Sequence, residues 1–522
     1  MPPVRLLLAV AGVAGIRFRH CRCTRVGLAV LGLAAPLMAD VPAIADAPAR
    51  ATAEIRLLTP VSSRTSRPGT QVKGLVVAPV RSEGRVVVPS GSVVRGTVKH
   101  VNRVGLGFVR ESAKLVLDFT ELELAGGQTY PIQSRLLAVD NARERVDRTG
   151  ANRGRRATAN LSHSLGFEIA NLTLSNPVGF VPLFVLQSCL FRFPNPEIEY
   201  GPGTDMRLQI DGPLPPGGAE NLPDTGPELA PEDLAELETL VSAAPYWAYC
   251  ARLREPIDII NLAFVGSRDA LDRAFTAAGW TGSQPISKAT GWQAVRALAE
   301  AQPYPDAPMR MLLVDGAGPE ASWQKTLNTL TKRHHLRIWK RPEEWRGREV
   351  WLSAATHDIS VGFSWRFGLT HLIKTEIDQE REKVVNDLRI TGCVDAVALV
   401  RRPEMLRFAD GDDRKALQTD GAVAVIVLNS CENPEQPAPA AWPEPGPGGA
   451  SRFVRRLNLS ARNHFIRNNL PWRVSEAGLV AFRAVRKWQR ERVMDRGVLP
   501  AGNERGSGNS QAAGSRGESV AN

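Results

Sequence analysis

The side chains best suited to chemistry are histidines, arginines and aspartates that lie between residues 333 and 381 of the 522-residue chain. Four of the eight histidines fall in this stretch. Histidine and carboxylate groups together can bind a metal ion or transfer protons, and an arginine beside them can hold a phosphate. The candidate ligand-binding residues are His335, Arg337, His357, Asp358, His371, Asp378 and Arg381.

Two predicted strands and a predicted helix carry these residues, except for His371, which precedes the helix. Residues 333–339 and 350–361 read as strands, in which successive side chains point to opposite faces. His335 and Arg337 therefore share one face of the first strand, and His334 lies on the other. In the second strand His357 and Asp358 point in opposite directions.

The predicted helix begins near Glu376, where Thr375 is suited to be the cap. Asp378 and Arg381 share a face of this helix because they are three residues apart. We expect the separated groups to converge on one partly exposed cleft, with either His357 or Asp358 facing it. The expected cleft residues are His335, Arg337, His371, Asp378 and Arg381.

Two interpretations of this cluster stay open. Asp378 with Arg381, and Asp358 with nearby arginines, could instead be structural ion pairs, as polar clusters on folded domains often are. The chain has no HExxH zinc motif, no Gly-x-Ser-x-Gly elbow and no glycine-rich phosphate loop. Whether the protein is an enzyme is therefore open, and these spacings specify neither a cofactor nor a metal.

The motifs of this region follow one another in a recognisable order. Residues 258–266 predict an apolar strand ending in glycine, and residues 268–278 have helical spacing. Together with 333–339, 350–361, 370–381 and 419–421, they resemble the LssY C-terminal domain over about residues 247–429. The resemblance implies a domain without an established activity, often joined to membrane segments related to lipid phosphatases or DedA-type proteins.

The preceding module, residues 52–213, is predicted to be an all-β barrel or sandwich. Short alternating runs are separated by Pro/Gly turns. Residues 88–96 and 201–208 resemble the β-barrel of VirB/TrbI-type secretion proteins. An insertion near 143–195 contains an apolar part, residues 165–193, which we expect to form a helical hairpin. We expect no chemistry in this module.

The predicted organisation is multidomain. An N-terminal all-β barrel or sandwich is followed by an α+β domain, with a basic helical and disordered C-terminal tail. The predicted segments are a signal peptide or anchor at 1–45, the β module at 52–213, a linker at 214–240, the LssY-like domain at 241–431 and the tail at 432–522.

Export is predicted from the N-terminus, where four arginines precede an apolar run and an Ala-x-Ala site before Asp46. Whether the segment is cleaved or retained as an anchor is open. Four cysteines would remain after cleavage, and we expect buried thiols more than disulfides. The predicted location is the periplasm or cell envelope, where the protein could also associate with a membrane.

The net charge of +11 is concentrated in the tail. Between residues 451 and 500, twelve Lys and Arg oppose three Asp and Glu, so no nucleic acid is expected as ligand of the folded modules. The basic helix predicted there suits an anionic membrane surface or an envelope protein partner. We expect an exported binding or assembly protein whose LssY-like domain recognises an anionic group. The alternative is a hydrolase acting on a phosphoester or related envelope substrate.

Overall fold

The computed structural model describes residues 50–82, 85–105, 112–124, 126–156, 195–211, 229–251, 254–364, 368–402 and 417–435, with a few positions beyond residue 450. These ranges belong to one compact unit, Pro48–Asn522. The predicted leader, the apolar part of the insertion and most of the tail lie outside the described residues, as does the predicted linker up to residue 228. Among the described residues, none of the helices is long and apolar enough to cross a bilayer.

The described part of the first module is built from short strands. They are β1 (Arg50–Leu57), β2 (Val61–Ser62), β3 (Gln71–Val76), β4 (Val80–Ser82), β5 (Arg85–Val88), β6 (Val93–Asn102), β7 (Lys114–Glu123), β8 (Thr129–Pro131), β9 (Gln133–Val139), β10 (Arg145–Val146), β11 (Asn152–Arg153), β12 (Glu199–Tyr200) and β13 (Asp205–Asp211).

The main sheet of this module is a nearly closed barrel. Its strand order is β10-β11-β7-β6-β3-β1-β13-β9, with β8 paired to β7. The two sides of the sheet meet where the Ser134 hydroxyl donates to the Phe119 carbonyl (2.7 Å) and the Ile132 N–H donates to the Thr120 carbonyl (2.9 Å). Alternate side chains of the long strands point inward and form one apolar core, as the alternation predicted. The all-β prediction is confirmed.

The second module adds four helices and further strands among its described residues. The helices are α1 (Pro231–Ser242), α2 (Arg268–Ala277), α3 (Lys288–Glu300) and α4 (Ile377–Arg389). The strands are β14 (Trp247–Cys250), β15 (Pro256–Ile259), β16 (Leu262–Val265), β17 (Thr281–Gly282), β18 (Leu312–Leu313), β19 (Ala321–Thr326), β20 (Arg333–Trp345), β21 (Arg348–Ser364), β22 (Gly368–Ile373), β23 (Val394–Arg401) and β24 (Ala422–Leu428).

The larger sheet of this module has the order β17-β19-β20-β21-β16-β24-β23, with β22 paired to β21. Strands β16 and β24 are parallel, and the other pairs are antiparallel. Helices α2 and α4 pack on one face through Phe275 and Leu388, and α1 packs on the other through Leu237 and Val241. This arrangement confirms the mixed helix-and-strand prediction. It also buries five of the tryptophans: Trp280, Trp323, Trp339, Trp345 and Trp351.

Three local details differ from the expectations. The apolar run at 258–266 forms two strands, because the Asn261 side chain interrupts it by bonding the Ala355 backbone N–H (2.9 Å) and carbonyl (3.0 Å). The N-cap of α4 is Glu376, not Thr375, and Glu376 makes no side-chain capping bond. Residues 231–240, which the composition assigned to the linker, belong to α1 because Leu237 and Val241 have an apolar sheet face to cover.

A disulfide joins Cys393 to Cys431, so the expectation of free thiols is wrong for this pair. Cys393 precedes β23 and Cys431 follows β24, and the pairing of Val394 with Leu428 brings these chain ends together. Cys250 is a free, buried thiol.

Candidate functional site

The structure divides the predicted site residues into three separate groups. One surrounds Asp358 and contains His335 and His371. Arg337 lies near this group, where its charge acts on His335, but it pairs with Asp258. A second contains Asp378 and Arg381. His357 belongs to a third, on the opposite face of the sheet from His335. The expectation of one shared cleft therefore does not describe this geometry, and whether these residues bind a ligand stays a prediction.

In the first group, three side chains approach one carboxylate oxygen. Arg333 Nε donates to Asp358 Oδ2 at 2.9 Å, and the Nδ1 atoms of His335 and His371 lie 3.5 and 3.4 Å from the same oxygen. Burial alone would raise the pKa of Asp358, but the two histidines and Arg333 outweigh it and lower that pKa. Burial lowers the pKa of His335 to about 3, so this ring is neutral at physiological pH.

Arg337 is a buried and paired residue rather than the wall of a cleft. Its Nη1 donates to Asp258 Oδ2 at 3.0 Å, and its Nε donates to the Arg310 carbonyl at 3.1 Å. Arg337 and Asp258 are 5% and 4% exposed. Such closed pairing is typical of a structural ion pair.

Asp378 and Arg381 fasten helix α4 to the segment before β24. Arg381 donates to both carboxylate oxygens of Asp420 (2.7 and 2.9 Å) and to the Ala422 carbonyl (2.8 Å). Asp378 accepts from the Thr419 hydroxyl (2.8 Å) and the Asp420 N–H (2.7 Å). The 419–421 motif is thus held by these two side chains, which gives both a structural role.

A group of polar side chains that is more open to solvent than these ion pairs lies where the two modules meet. We call this place the inter-module cleft. The first module contributes Glu54, Ala138, Asp140, Asp205, Met206 and Arg207. The second contributes His334, His357, Lys374, Gln379, Glu380 and Lys383. Charged residues with shifted pKa values in a cleft are typical of functional sites.

His334 bridges the two modules through both ring nitrogens. Nε2 lies 2.5 Å from Asp140 Oδ2, in the first module, and Nδ1 lies 2.7 Å from Glu380 Oε2 on α4. Burial disfavours the charged ring, but the two carboxylates outweigh it and raise the pKa of His334 to about 10. The same contact, against the effect of burial, lowers the pKa of Asp140.

His357 lies beside His334 because the two residues are directly paired across β20 and β21. Their rings stack with centroids 4.0 Å apart. Burial, and then the positive charge of His334, lower the pKa of His357 to about 4. Its Nε2 lies 3.0 Å from Asn141 Oδ1, so a second residue of the first module orients this ring.

Beneath the cleft, five buried charged residues tie the modules together; we call them the interface network. Arg56 donates to Asp205 (2.8 Å) within the first module and to Asp387 (2.8 Å) of the second. Lys325 contacts the same two aspartates at 2.7 and 3.0 Å. The network consists of Arg56, Asp205, Lys325, Lys383 and Asp387, and it fixes the walls of the cleft.

Sequence reasoning missed most of the cleft. It placed His334 correctly on the face away from His335 and named His357 as a candidate, but it assigned the other candidates elsewhere and none to the first module. Asp140 and Arg207 therefore went unnoticed. Arg56 gave no clue either, because it lies on the outer face of β1, opposite Ile55 and Leu57, and a charged residue is ordinary on that face. The second module covers it, so that it is only 5% exposed.

Chemically, the cleft offers a neutral imidazole, a cationic imidazole and ionised carboxylates within a small space. One ligand atom from each of Asp140, His334 and His357 lies within 4.8 Å of the others, close enough for a shared ion. The neutral ring of His357 could also accept a proton. Lys374 and Arg207 add positive charge at the walls.

Comparison with known proteins identifies part of the chain. Residues 249–423 match the family described as LssY C-terminus, so the second module carries this domain. Among solved structures, ComB10 of the Com Type IV secretion system of Helicobacter pylori is similar to 32% of this chain and 85% of its own, at 13% identity and a TM-score of 0.17. None of the curated proteins matches the chain.

Proposed function

We propose that this LssY C-terminal domain, with the β module beside it, is the ligand-recognition part of an exported, envelope-associated binding or assembly protein. The ligand is anionic and binds in the inter-module cleft. The observation that carries the proposal is Lys374, whose Nζ contacts the neutral Gln379 amide oxygen (2.5 Å) at the cleft wall. Because Gln379 carries no charge, this contact does not neutralise the lysine, and its positive charge can attract an anion.

Arg207 is the natural second contact for such a ligand. Its Nη2 lies 3.7 Å from Glu54, beyond hydrogen-bonding distance, and its side chain is 46% exposed. The deeper cations of the cleft, Lys383 and His334, are held by carboxylates of the protein. A phosphate or carboxylate group bound between Lys374 and Arg207 would therefore gain charge-assisted bonds without breaking buried pairs.

The location and partners belong to the same proposal. The Cys393–Cys431 disulfide is of the kind that persists in oxidising compartments, which supports export. The basic residues at 451–500 suit an anionic membrane surface, and an envelope protein partner would serve an assembly role. These features also support the proposed association with the envelope.

A second candidate is a hydrolase acting on a phosphoester or related envelope substrate. His357 favours it, because a histidine with a pKa of about 4 is a free base at neutral pH and faces the cleft. Asp140 lies close enough to share a proton or a water molecule with it.

Calorimetric titration of purified full-length protein with inorganic phosphate, glycerol 3-phosphate and anionic phospholipid vesicles tests the proposal. We expect saturable binding of at least one of these probes, weakened about tenfold or more by Lys374→Gln and by Arg207→Gln. Lys73→Gln, an exposed lysine on β3, is the matched control and should bind as the wild type does.

Unchanged binding in the Lys374→Gln and Arg207→Gln variants would refute the proposed site. Turnover of a chromogenic phosphate ester that is lost in His357→Gln would instead favour the hydrolase.

A further inference from the structure

We infer that Asp140, His334 and His357 form a binding site for a divalent transition-metal ion, with zinc the best-suited ion. The site brings together one residue of the β module and two of the LssY C-terminal domain. The inference goes beyond the anionic ligand proposed above and does not depend on it.

The spacing of the three residues fits a metal site. Their ligand atoms lie within 4.8 Å of one another. Zinc bonds of about 2.0–2.2 Å in a tetrahedral site place neighbouring ligand atoms roughly 3.3 Å apart. Small side-chain rotations would therefore close the three atoms around an ion.

The types of donor also fit. Two imidazoles and one carboxylate suit zinc and similar first-row ions, and magnesium and calcium prefer all-oxygen sites. Three protein ligands leave a fourth position open to the cleft, where a water molecule or a ligand anion could bind. An ion bound at Nε2 of His334 displaces the proton between this nitrogen and Asp140, and the proton passes to solvent.

Glu380 supplies an independent observation. Its Oε2, 2.7 Å from His334 Nδ1, holds this nitrogen as the N–H and directs Nε2 toward Asp140. Metal-binding histidines commonly have such a carboxylate behind them. Glu380 is 4% exposed and lines the cleft, and its Oε1 is buried without a partner within the described part of the chain. A buried carboxylate oxygen is costly unless something binds it, such as an ion or its water.

The nearby Asp358 group provides a contrast. Two histidines also approach a carboxylate there, but Arg333 Nε donates to the same Asp358 oxygen at 2.9 Å. A guanidinium at this distance repels a second cation. His371 is therefore a matched control of the same residue type, in the same module and also partly exposed.

The experiment uses untagged full-length protein stripped of metal with a chelator and titrated with zinc by calorimetry. Cobalt is added in a parallel titration, because its visible absorption reports tetrahedral coordination. We expect one ion per chain. Asp140→Asn and His357→Gln should each weaken zinc binding at least tenfold, and Glu380→Gln should weaken it about 10–100-fold.

His371→Gln should bind zinc with the affinity and stoichiometry of the wild type. Circular dichroism checks that each variant is folded; if His357→Gln fails to fold, Asp140→Asn carries the test. The inference is overturned if the wild type takes up no stoichiometric ion, or if His371→Gln loses as much affinity as His357→Gln. Phosphate binding measured on the metal-free protein reports separately on the function proposed above.

Discussion

Adjacent histidines of β20 have opposite electrostatic properties. The pKa of His334 is raised to about 10, and that of His335 is lowered to about 3. Both rings are buried, which disfavours their charged forms, but His334 lies between two carboxylates while His335 meets Asp358 together with Arg337 and Arg333. Neighbouring side chains of a strand point to opposite faces, so these two consecutive histidines lie in different surroundings. One ring is therefore cationic and the other neutral.

Replacing Arg337 tests whether the charged residues on the Asp358 side of the sheet serve stability and not ligand binding. The substitution Arg337→Met leaves Asp258 buried without its guanidinium partner. We expect the free energy of unfolding to fall by about 3–5 kcal/mol, the usual cost of orphaning a buried charge. Urea denaturation followed by tryptophan fluorescence measures it.

The control is Lys340→Met on the same strand, where the lysine is 46% exposed and its surface ion pair should contribute little to the free energy of unfolding. If Arg337→Met lowers the free energy of unfolding by less than about 1 kcal/mol but weakens ligand binding, Arg337 is a binding residue, as the sequence first predicted.

His371 should make stability depend on pH. Burial lowers the pKa of this ring in the folded protein below its ordinary value of 6.5. Below pH 6.5 the unfolded chain therefore binds more protons than the folded one, and the free energy of unfolding falls as pH decreases. We expect the slope between pH 6.5 and 5.0 to be smaller in His371→Gln, by at most about 1.4 kcal/mol per pH unit.

Urea denaturation at several pH values across this window gives the slopes. His100→Gln, at an exposed position of β6, should retain the slope of the wild type. Equal slopes in the wild type and His371→Gln would show that this ring takes up its proton alike in both states.

At the scale of elements, the Cys393–Cys431 disulfide closes the ends of β23 and β24 across 38 residues of sequence. Replacing both cysteines with serine should lower the free energy of unfolding by about 2–4 kcal/mol. Denaturation with and without a reducing agent measures the difference. Cys250→Ser, which removes a free thiol, should leave the effect of the reducing agent unchanged. An insensitive wild type would contradict the pairing.

Much of the element structure could be predicted from the sequence. The alternation of residues 333–339 placed His334 with Leu336 and Ile338, and these two apolar side chains pack in the core beneath α2 and α4. The helix predicted at 268–278 is α2, and its apolar positions are buried. Periodicity succeeds here because burial on one face is a local property of the sequence.

The site could not be predicted in the same way. Asp140 and His334 are 194 residues apart in sequence and belong to different modules. Nothing in the pattern near Asp140 indicates its partner, because the contact depends on how a barrel and a sheet dock. The same limit applies to Arg56, whose partner Asp387 lies 331 residues away.

At the scale of the whole molecule, the interface network should make the two modules unfold together. Arg56→Met leaves Asp205 and Asp387 with one cation fewer in a fully buried position. We expect a single calorimetric transition in the wild type. In the variant we expect the free energy of unfolding to fall by about 1.5–3 kcal/mol, the usual contribution of a hydrogen bond to a charged group, because Lys325 and Lys383 still contact both aspartates. Differential scanning calorimetry and urea denaturation measure these two quantities.

Arg95→Met is the control, because Arg95 pairs with Glu123 on the barrel surface with its side chain 43% exposed. Two transitions in the wild type, or equal stability of Arg56→Met and Arg95→Met, would show that the interface network does not couple the modules.

The pairing of β1 with β13 has a consequence for the order of folding. Arg50 pairs with Asp211, so the barrel cannot close until the chain has been made as far as β13. Arg56, on the same strand, can pair with Asp387 only after the second module has been synthesised. Until then, Arg56 on the completed barrel has only one of its two carboxylate partners, Asp205. The long sequence separation of these contacts predicts slow folding. A chaperone that covers the barrel surface around Arg56 during synthesis would speed folding without changing the free energy of unfolding of the folded protein.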